Sequence, residues 1–296
     1  MTGRTARRRV LRISLPGEAG QAAAENYNAT QRADLLAAEE PLGVRVNGEA
    51  ITLTMRTPWD DIELAAGFLV GEGVVRSASD ILRIKICTGD RCGHDEHEGM
   101  GNIADVTLGA GAMVPAGLRR NFLTTSACGV CGKASIHDIC QLPAAGLAAD
   151  PVLVEPLVLT QLPRQLRDAQ RVFSATGGLH AAGVFGADGK LLTVREDVGR
   201  HNAVDKVVGW ALREHRLPLA GCILLVSGRA SFELVQKAVM AGIPVLAAVS
   251  APSSLAVELA GEAGLTLVGF LRGNSMNVYT APQRIAGIPE PATPAV

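Results

Sequence analysis

The sequence contains few aromatic residues, almost no net charge and no long apolar run. Aromatic side chains make up 3% of it, too few for the stacking platforms that bind single-stranded nucleic acid. The 28 basic and 29 acidic side chains give a net charge of −1, which provides no general attraction to nucleic acid. No run approaches the roughly 18 apolar residues that a membrane-spanning helix needs. We therefore expect a cytoplasmic protein that binds neither nucleic acid nor membranes.

Several short signatures are also missing. No G-x-G-x-x-G segment follows a strand-like run and no P-loop is present, so the standard cradles for dinucleotides and triphosphates are excluded. The basic cluster Arg7-Arg8-Arg9 is not followed by an apolar segment of the length found in secretion signals. That cluster is predicted to be a solvated tail or an edge strand.

A pair of closely spaced thiols is the clearest chemical feature that is present. Cys128 and Cys131 lie in a short polar segment with Gly129 and Gly132, directly before Lys133. Cytoplasmic cysteines are typically reduced, metal-bound or catalytic. The spacing fits a zinc half-site, a dithiol redox pair or a sulfur-carrying nucleophile with a neighbouring thiol, and a lone C-x-x-C does not choose among these. Two small buried residues are the fourth interpretation, which the flanking glycines disfavour.

A second group of candidate ligands occurs in the polar segment 89–99: Cys92, His94 and His97, with four acids. Mixed ligands of this kind are typical of a solvated hairpin tip, and a metal loop is the less favoured interpretation. A four-thiolate zinc site that combines Cys87 and Cys92 with the C-x-x-C pair is also disfavoured, because four residues separate its first two thiols. We therefore predict no metal site.

The first half of the chain is predicted to be rich in strands. Alternating apolar residues on both sides of Asn47-Gly48 predict a β-hairpin over residues 39–55. Thr57 is predicted to cap a helix that has Pro58 at its first position. Two further strands are predicted at 81–87 and 102–108. Together these elements predict a small α+β domain over residues 1–145, ending in the thiol pair and a following helix.

Strands and helices alternate in the second half, after a linker rich in Ala, Pro and Leu over 143–163. The predicted strands are 181–185, 191–194, 222–226, 244–249 and 266–271. The predicted helices are 162–173, 203–215 with Asn202 as its cap, 232–241 and 255–261. Continuous Val, Ile and Leu runs separated by helices predict a buried, mixed or parallel sheet with flanking helices. The predicted fold class is therefore α/β, with this second domain over residues 146–296.

Polar segments follow four of these predicted strands: 195–202, 227–231, 250–254 and 270–275. Because ligands bind outside the carboxyl ends of strands in such sheets, we expect the segments to converge on one edge, here termed the rim. Hydroxyl groups, glycine-flanked amides at helix starts, and Arg200, Arg229 and Arg272 suit phosphate oxygens. Ordinary caps and turns explain Asn202 and the Pro252 loop, but explain three arginines at three strand ends less well. The rim therefore predicts a phosphorylated or nucleotide-like ligand.

The sequence resembles the FdhD/NarQ family, the formate dehydrogenase accessory sulfurtransferases. The resemblance rests on motifs in the same order between residues 121 and 280: N-F at 121–122, S-A-C-G-V-C-G-K-A-S at 126–135, G-L-H-A-A at 178–182, E-D-V-G-R-H-N-A-V-D-K at 196–206, S-G-R-A-S-F-E at 227–233 and G-F-L-R at 269–272. Residues 1–110 resemble the family more loosely.

The resemblance implies a sulfurtransferase that receives sulfane sulfur from a cysteine desulfurase as a cysteine persulfide. It passes this sulfur to a molybdenum bis(molybdopterin guanine dinucleotide) cofactor that then enters formate dehydrogenase. Cys128 would hold the persulfide and Cys131 would assist or resolve it. Thirteen residues are predicted to bind the cofactor, or a guanine nucleotide that mimics it: His180, Arg200, His201, Ser227, Gly228, Arg229, Ser231, Phe270, Leu271, Arg272, Gly273, Asn274 and Ser275.

The resemblance also implies a cytidine-deaminase-like fold for the second domain and a homodimer. The deaminase signature, H-x-E with P-C-x-x-C, is missing, so zinc deaminase chemistry is excluded. Two other hypotheses stay open: a zinc- or nucleotide-binding module without turnover, and a chaperone that only delivers the cofactor. Because the thiol pair lies far from the rim in sequence, its segment is expected to fold over the rim or to move.

Overall fold

The computed structural model of the chain describes residues 3–14, 27–87, 102–115, 118 and 147–288. Its strands are β1 (Thr5–Ser14), β2 (Asn28–Ala37), β3 (Glu40–Val46), β4 (Glu49–Arg56), β5 (Ile81–Cys87), β6 (Ile103–Leu108), β7 (His180–Gly186), β8 (Leu191–Asp197), β9 (Cys222–Val226), β10 (Val245–Ala248), β11 (Thr266–Arg272) and β12 (Ser275–Thr280). Its α-helices are α1 (Asp61–Gly71), α2 (Pro156–Ala169), α3 (Arg171–Thr176), α4 (Arg200–Arg213), α5 (Phe232–Met240) and α6 (Ser254–Glu262). None of the described helices combines the length and apolarity needed to cross a bilayer.

Strands β1 and β2 form a separate antiparallel ribbon. They pair along their whole length, from Thr5 opposite Ala37 to Ser14 opposite Asn28. This confirms the edge strand predicted at the basic cluster. The pairing continues by one residue at the base of the ribbon, where the Ala38 N–H donates to the Arg4 carbonyl (2.9 Å).

The second sheet has four strands in the order β4-β3-β6-β5. The predicted hairpin is confirmed: β3 and β4 join through Asn47 and Gly48, whose φ angles of 50° and 83° are those of a type I′ turn. β6 returns parallel to β3 and pairs antiparallel with β5.

The predicted start of α1 is wrong. Thr57 does not cap the helix, which begins at Asp61 after Asp60 in a left-handed conformation (φ 60°). Thr57 is instead buried against the second half of the chain. Its N–H donates to Asp197 Oδ2 (3.0 Å) and its hydroxyl accepts from the Val198 N–H (3.1 Å). A long-range contact has therefore replaced the local cap.

The third sheet has six strands in the order β12-β11-β10-β9-β7-β8. β9, β10 and β11 are parallel, and the other neighbouring strands are antiparallel. The sheet is therefore mixed and carries helices, which confirms the predicted α/β class. The predicted helix at 162–173 is in fact two helices, α2 and α3, separated at Gln170.

Helices α1 and α4 cross at two glycines. A Cβ atom on Gly67 would overlap the Asp205 carbonyl, and one on Gly209 would overlap the Glu63 carbonyl. The backbones can approach this closely only because neither residue has a side chain. Around the crossing, one apolar core joins residues of the four-stranded and six-stranded sheets, such as Val44 and Leu224. The predicted division at residues 145/146 stays a prediction.

Candidate functional site

The predicted carrier thiols, Cys128 and Cys131, lie outside the described residues, as do Cys92, His94 and His97. Their predicted roles therefore stay predictions. Two cysteines are described, Cys87 in β5 and the half-buried Cys222 in β9, and neither forms a disulfide. Burial raises the pKa of the Cys222 thiol. Within the described ranges, no group of three His, Cys, Asp or Glu side chains could hold a metal ion.

The four segments of the rim meet at one edge of the six-stranded sheet, as predicted. The register places His180, the first residue of β7, opposite Asp197, the last residue of β8. The Ser227 hydroxyl, at the end of β9, accepts from the Ala181 N–H (2.9 Å).

Backbone hydrogen bonds extend this edge across the parallel strands. The Ala230 N–H donates to the Ala251 carbonyl (3.2 Å), and the Phe270 N–H donates to the Ser250 carbonyl (3.1 Å). The loops that follow β9 and β10 and the end of β11 therefore form a continuous polar border.

Several polar residues of segment 195–202 are engaged within the protein. Arg195 forms a two-point ion pair with Glu63, at 2.5 and 2.8 Å. Glu196 accepts from the Val172 and Phe173 N–H groups at the start of α3 (2.9 and 2.7 Å). Both side chains hold elements together, so they are not available to a ligand.

Asp197 is the centre of a buried network. Its Oδ2 atom lies 2.8 Å from Lys206 Nζ, and both side chains are almost completely buried. Its Oδ1 atom accepts from the Gly199 N–H (2.8 Å) and from Asn202 Nδ2 (3.1 Å). A buried charge is tolerated when it is paired and hydrogen-bonded in this way. The network fixes the backbone where α4 begins.

The predicted N-cap of α4, Asn202, is also wrong, because its side chain bonds a residue that is distant in sequence. The helix begins at Arg200, three residues before the predicted start, and Gly199 is its N-cap residue. The Asn202 side chain lies inside the helix and donates to the Met55 carbonyl (2.7 Å). Asn202 therefore joins the two halves of the chain instead of satisfying the helix start.

The first turn of α4 lacks the features that usually stabilise a helix start. It has no side-chain cap and no acid, and its first residue is Arg200. The Nε atom of Arg200 is buried and has no hydrogen-bond partner among the described residues. A cation at a helix N-terminus opposes the helix dipole, and a buried unpaired donor costs about 1–3 kcal/mol. An anion at this position would correct both defects.

Helix α5 begins beside α4 and also lacks a side-chain cap. Its N-cap residue is Ser231, but the Ser231 hydroxyl lies 3.2 Å from His201 Nε2 instead of capping the helix. The same His201 atom lies 2.7 Å from Glu233 Oε2. By contrast, Ser253 accepts from the Ala256 N–H (3.3 Å) and so caps α6. Two of these three neighbouring helix starts therefore keep uncapped N–H groups.

His180 borders the same position. Its ring lies against Gly228, where a Cβ atom would be 3.4 Å from Nδ1. Burial lowers the pKa of His180, and the positive charges of Arg200 and His201 lower it further, against a smaller opposite effect of Asp197. His180 therefore presents a largely neutral imidazole beside the Arg200 cation.

The remaining residues that were predicted to bind the cofactor differ in exposure to solvent. Arg229 and Arg272 are exposed, and the Arg272 guanidinium lies 5.6 Å from the centroid of the Phe270 ring. Phe270 has a left-handed backbone (φ 51°) at an irregularity in the β11–β12 pairing. The turn residues that follow are all exposed: Gly273, Asn274 and Ser275. Leu271 must be corrected, because its side chain is wholly buried in the apolar core and does not reach the rim surface.

Glu233 is a site residue that the sequence analysis did not identify. It lies in the first turn of α5, where an acid is common for reasons of helix stability alone. Only its contact with His201, which comes from another helix, distinguishes it. The S-G-R-A-S-F-E motif contained this residue but gave no reason to separate it from an ordinary helix start.

The fold and the rim define a mixed α/β protein with a basic strand-end edge. A crystal structure from Desulfotalea psychrophila, of a protein described as a candidate formate dehydrogenase accessory protein, has a similar fold: the TM-score is 0.66 with 24% identity, over 94% of this chain and 99% of that one. The chain belongs to the FdhD/NarQ family, whose model matches residues 37–286.

Curated relatives extend the similarity over nearly the whole chain. A protein of Mycolicibacterium paratuberculosis is 57% identical over 282 residues, which are 95% of this chain and 98% of the relative. A protein of Streptomyces coelicolor is 55% identical over 285 residues, or 95% and 96% of the two chains. Each of the two is named a sulfur carrier protein, FdhD.

Proposed function

We propose that this chain is a persulfide-carrying sulfurtransferase. It takes sulfane sulfur from a cysteine desulfurase onto Cys128 and passes it to a molybdenum bis(molybdopterin guanine dinucleotide) cofactor, which then enters formate dehydrogenase. The names of the relatives support the carrier role. The observation that best supports an anionic acceptor at the rim is the buried, unpartnered Nε of Arg200 at the uncapped start of α4.

The acceptor carries pyrophosphate and guanine groups, for which the rim has complementary chemistry. Phosphate oxygens accept hydrogen bonds from N–H groups at helix starts, and a guanidinium donates to them in addition. The adjacent first turns of α4 and α5 and the Arg200 side chain provide both. Arg229 and Arg272 add exposed positive charge, and the Phe270 ring offers a plane for a base.

Sulfur loading is an exchange between two thiols. The Cys128 thiolate attacks the outer sulfur of the desulfurase persulfide, and the S–S bond of that persulfide breaks. The desulfurase cysteine leaves as a thiolate, which takes up the proton that Cys128 lost when it ionised. Cys128 then holds the added sulfur as a persulfide. No net oxidation occurs, because the sulfane sulfur only changes its carrier.

Delivery needs a second thiol. The Cys131 thiol attacks the inner sulfur of the Cys128 persulfide, and the outer sulfur leaves with the bonding electron pair as sulfide. The two cysteines lose two electrons and form a disulfide, while the sulfane sulfur gains these electrons. The sulfide replaces an oxygen ligand of the acceptor, which leaves as water with the two protons. A cellular dithiol then reduces the disulfide for the next cycle.

Mass spectrometry tests the loading step. The full chain is incubated with a cysteine desulfurase and cysteine, and the peptide that contains Cys128 should gain one sulfur atom. The gain should be lost in Cys128→Ala and kept in Cys131→Ala, which serves as the matched control. An unmodified wild-type peptide would rule out the carrier role.

Formate dehydrogenase activity in cells tests the delivery step. Cells that carry Cys128→Ala in place of the wild-type chain should lose the activity, because no sulfur reaches the cofactor. Full activity with Cys128→Ala would instead support a chaperone that only delivers the cofactor. Zinc bound in a one-to-one ratio and lost in Cys131→Ser would support the zinc-binding alternative.

A further inference from the structure

Most residues of the β1–β2 ribbon are exposed to solvent. The ribbon is anchored at its base, where Arg4 Nη2 lies 2.9 Å from Asp60 Oδ2. Beyond the base, residues 11–14 of β1 and 28–33 of β2 are all exposed. A two-stranded ribbon alone is only marginally stable in water. A ribbon of this length that lies mostly in solvent therefore calls for a binding role.

The two faces of the ribbon differ in chemistry. In the observed register, one face carries these side chains: Arg7, Arg9, Leu11, Ile13, Ala29, Gln31, Ala33 and Leu35. Leu11 and Ile13 are 59% and 58% exposed, so apolar surface on this face is open to solvent. The only acid of the two strands, Asp34, lies on the other face, together with Arg8, Arg12 and Arg32. The first face, here termed the arginine–leucine face, is therefore basic and apolar without any acid.

The charge of the ribbon differs from that of the whole chain. From Gly3 to Ser14 and from Tyr27 to Ala37 there are six arginines and one aspartate, whereas the full sequence has 28 basic and 29 acidic side chains. A concentration of one sign on one protruding element attracts a surface of the opposite sign and accelerates its association. The occupant that fits is therefore a protein surface that combines acidic and apolar side chains.

The position of the ribbon relates it to the rim. At its base, Ala37 packs beside Gly178, where a Cβ atom would be 3.5 Å from that of Ala37. Gly178 precedes His180 by two residues. Asp60, which holds Arg4, also lies 4.0 Å from Arg195 at the end of β8. A protein that binds along the ribbon is thus brought to the edge where the cofactor is proposed to bind.

The ribbon lies before the part of the chain that the family model matches, which begins at residue 37. The two relatives described above each align over 95% of the chain, and the Desulfotalea psychrophila structure covers 94% of it. Each of these alignments therefore includes part of the ribbon region.

We propose that the arginine–leucine face docks an acidic surface of the apo-enzyme that receives the cofactor from the rim. This inference rests on the proposed function, because only a protein that collects its cofactor from the rim needs to be held beside it. The sulfur donor needs to reach Cys128 and not the bound cofactor, so it is tested below as the alternative occupant.

The test compares two double variants that reverse the same number of exposed charges. Arg7→Glu with Arg9→Glu alters the ribbon, and Arg83→Glu with Lys85→Glu alters exposed positions of β5. The affinity of each full chain for purified apo-formate dehydrogenase is measured by biolayer interferometry at low and high salt. We expect the ribbon variant to bind about 10-fold more weakly at low salt and to lose most of the salt dependence of the wild type. The β5 variant should match the wild type.

A second variant addresses the apolar part and the folding of the ribbon. Leu11→Ser with Ile13→Ser should weaken binding at both salt concentrations, since it removes apolar area and no charge. Both ribbon variants should keep the wild-type melting temperature, because the outer part of the ribbon is exposed. Unchanged affinity in both ribbon variants would overturn the inference.

Other occupants of the arginine–leucine face give distinct results, and each of these results would overturn the ribbon inference. Weaker binding to the cysteine desulfurase alone would identify the donor as the occupant, and a change of oligomeric state in sedimentation would identify a second copy of the chain. Binding of duplex DNA that the charge reversals abolish would identify nucleic acid as the occupant.

Persulfide formation on Cys128 from a small-molecule polysulfide donor is measured in parallel. Its absence in the wild type would contradict the proposed function, whereas normal loading with unchanged affinity would contradict only the ribbon inference.

Discussion

Lys206 Nζ lies 2.8 Å from Asp197 Oδ2, with 1% and 0% of the respective side chains exposed. Lys206 also donates to the Thr57 carbonyl (2.9 Å), so the pair ties the start of α4 to the first half of the chain. Removing one member of a buried pair leaves an uncompensated charge, which costs about 3–5 kcal/mol.

Lys206→Met should therefore lower the free energy of unfolding by about 3–5 kcal/mol in urea titrations. The matched control is Lys190→Met, an exposed lysine in the β7–β8 connection, which should change stability by less than about 0.5 kcal/mol. Equal stability of the two variants would contradict a stabilising role of the Lys206–Asp197 pair.

Because α1 and α4 cross at Gly67 and Gly209, Gly→Ala substitutions at these positions should lower stability, whereas the same change within a helix normally raises it. Helix propensity alone would make alanine about 1 kcal/mol better than glycine. At Gly67 and Gly209, however, the new methyl group would overlap a backbone carbonyl of the other helix. Either substitution should destabilise the chain by more than about 3 kcal/mol or prevent folding, measured by thermal and urea unfolding.

Gly261→Ala is the control for that experiment. Gly261 lies in the last turn of α6, and the nearest atom to an added Cβ would be Thr280 Cγ2 at 3.8 Å, an ordinary contact. This variant should be stabilised by about 0.5–1 kcal/mol. A similar gain in Gly67→Ala would contradict the close helix crossing.

Arg200→Ala should raise stability and weaken ligand binding. The variant removes a cation from the N-terminus of α4 together with a buried, unpaired donor, so the free energy of unfolding should rise by about 0.5–1 kcal/mol. Its affinity for GDP, used as the probe in calorimetry, should fall about 10- to 100-fold through the loss of a charged hydrogen bond. Arg164→Ala, at a side chain that is 90% exposed on α2, should change neither property. Lower stability with unchanged GDP affinity would mean that Arg200 has a structural role.

His180 gives a prediction for pH. Burial, followed by the charges of Arg200 and His201, lowers its pKa below the ordinary value of 6.5. As the pH falls through 6.5, the unfolded chain takes up a proton on this histidine and the folded chain does not. The free energy of unfolding therefore decreases until the pH reaches the lower pKa that His180 has in the folded chain. This loss should be smaller in His180→Gln when unfolding is measured from pH 7.5 to pH 5.

The same histidine reports on ligand binding. A bound anion would offset the charge of Arg200, so saturating GDP or pyrophosphate should raise the pKa of His180 in an NMR titration. The resonance of His215, on an exposed turn at the end of α4, provides the internal reference. An unchanged His180 titration curve in the presence of bound GDP would place the nucleotide away from the α4 start.

The sequence predicted the elements that depend on neighbouring residues. The β3–β4 hairpin follows from Asn47-Gly48, because Asn and Gly adopt the two positive φ angles of that turn more readily than other residues. The alternation of apolar runs and helices predicted the second half and the convergence of the rim. Both arguments use local information, and the structure confirms both.

The errors concern residues whose partners are distant in sequence. Thr57 and Asn202 have the side chains of good helix caps, yet their hydrogen bonds go to residues 140 and 147 positions away. The sequence also could not tell which polar residues of the rim are already paired. Glu196 and Asp197 have hydrogen-bond partners within the protein, whereas the Nε atom of Arg200 has none among the described residues. The role predicted for Cys128 and Cys131 stays a prediction.

The glycine crossing has a consequence for any attempt to isolate the rim. A fragment limited to residues 147–288 would contain every described rim residue, but it would lack α1, against which Gly209 packs, and Met55, to which Asn202 donates. The first turn of α4 would then be free to shift, and an anion would meet a different arrangement of N–H groups. The rim is therefore not a transplantable module, and its recognition chemistry belongs to the chain as a whole.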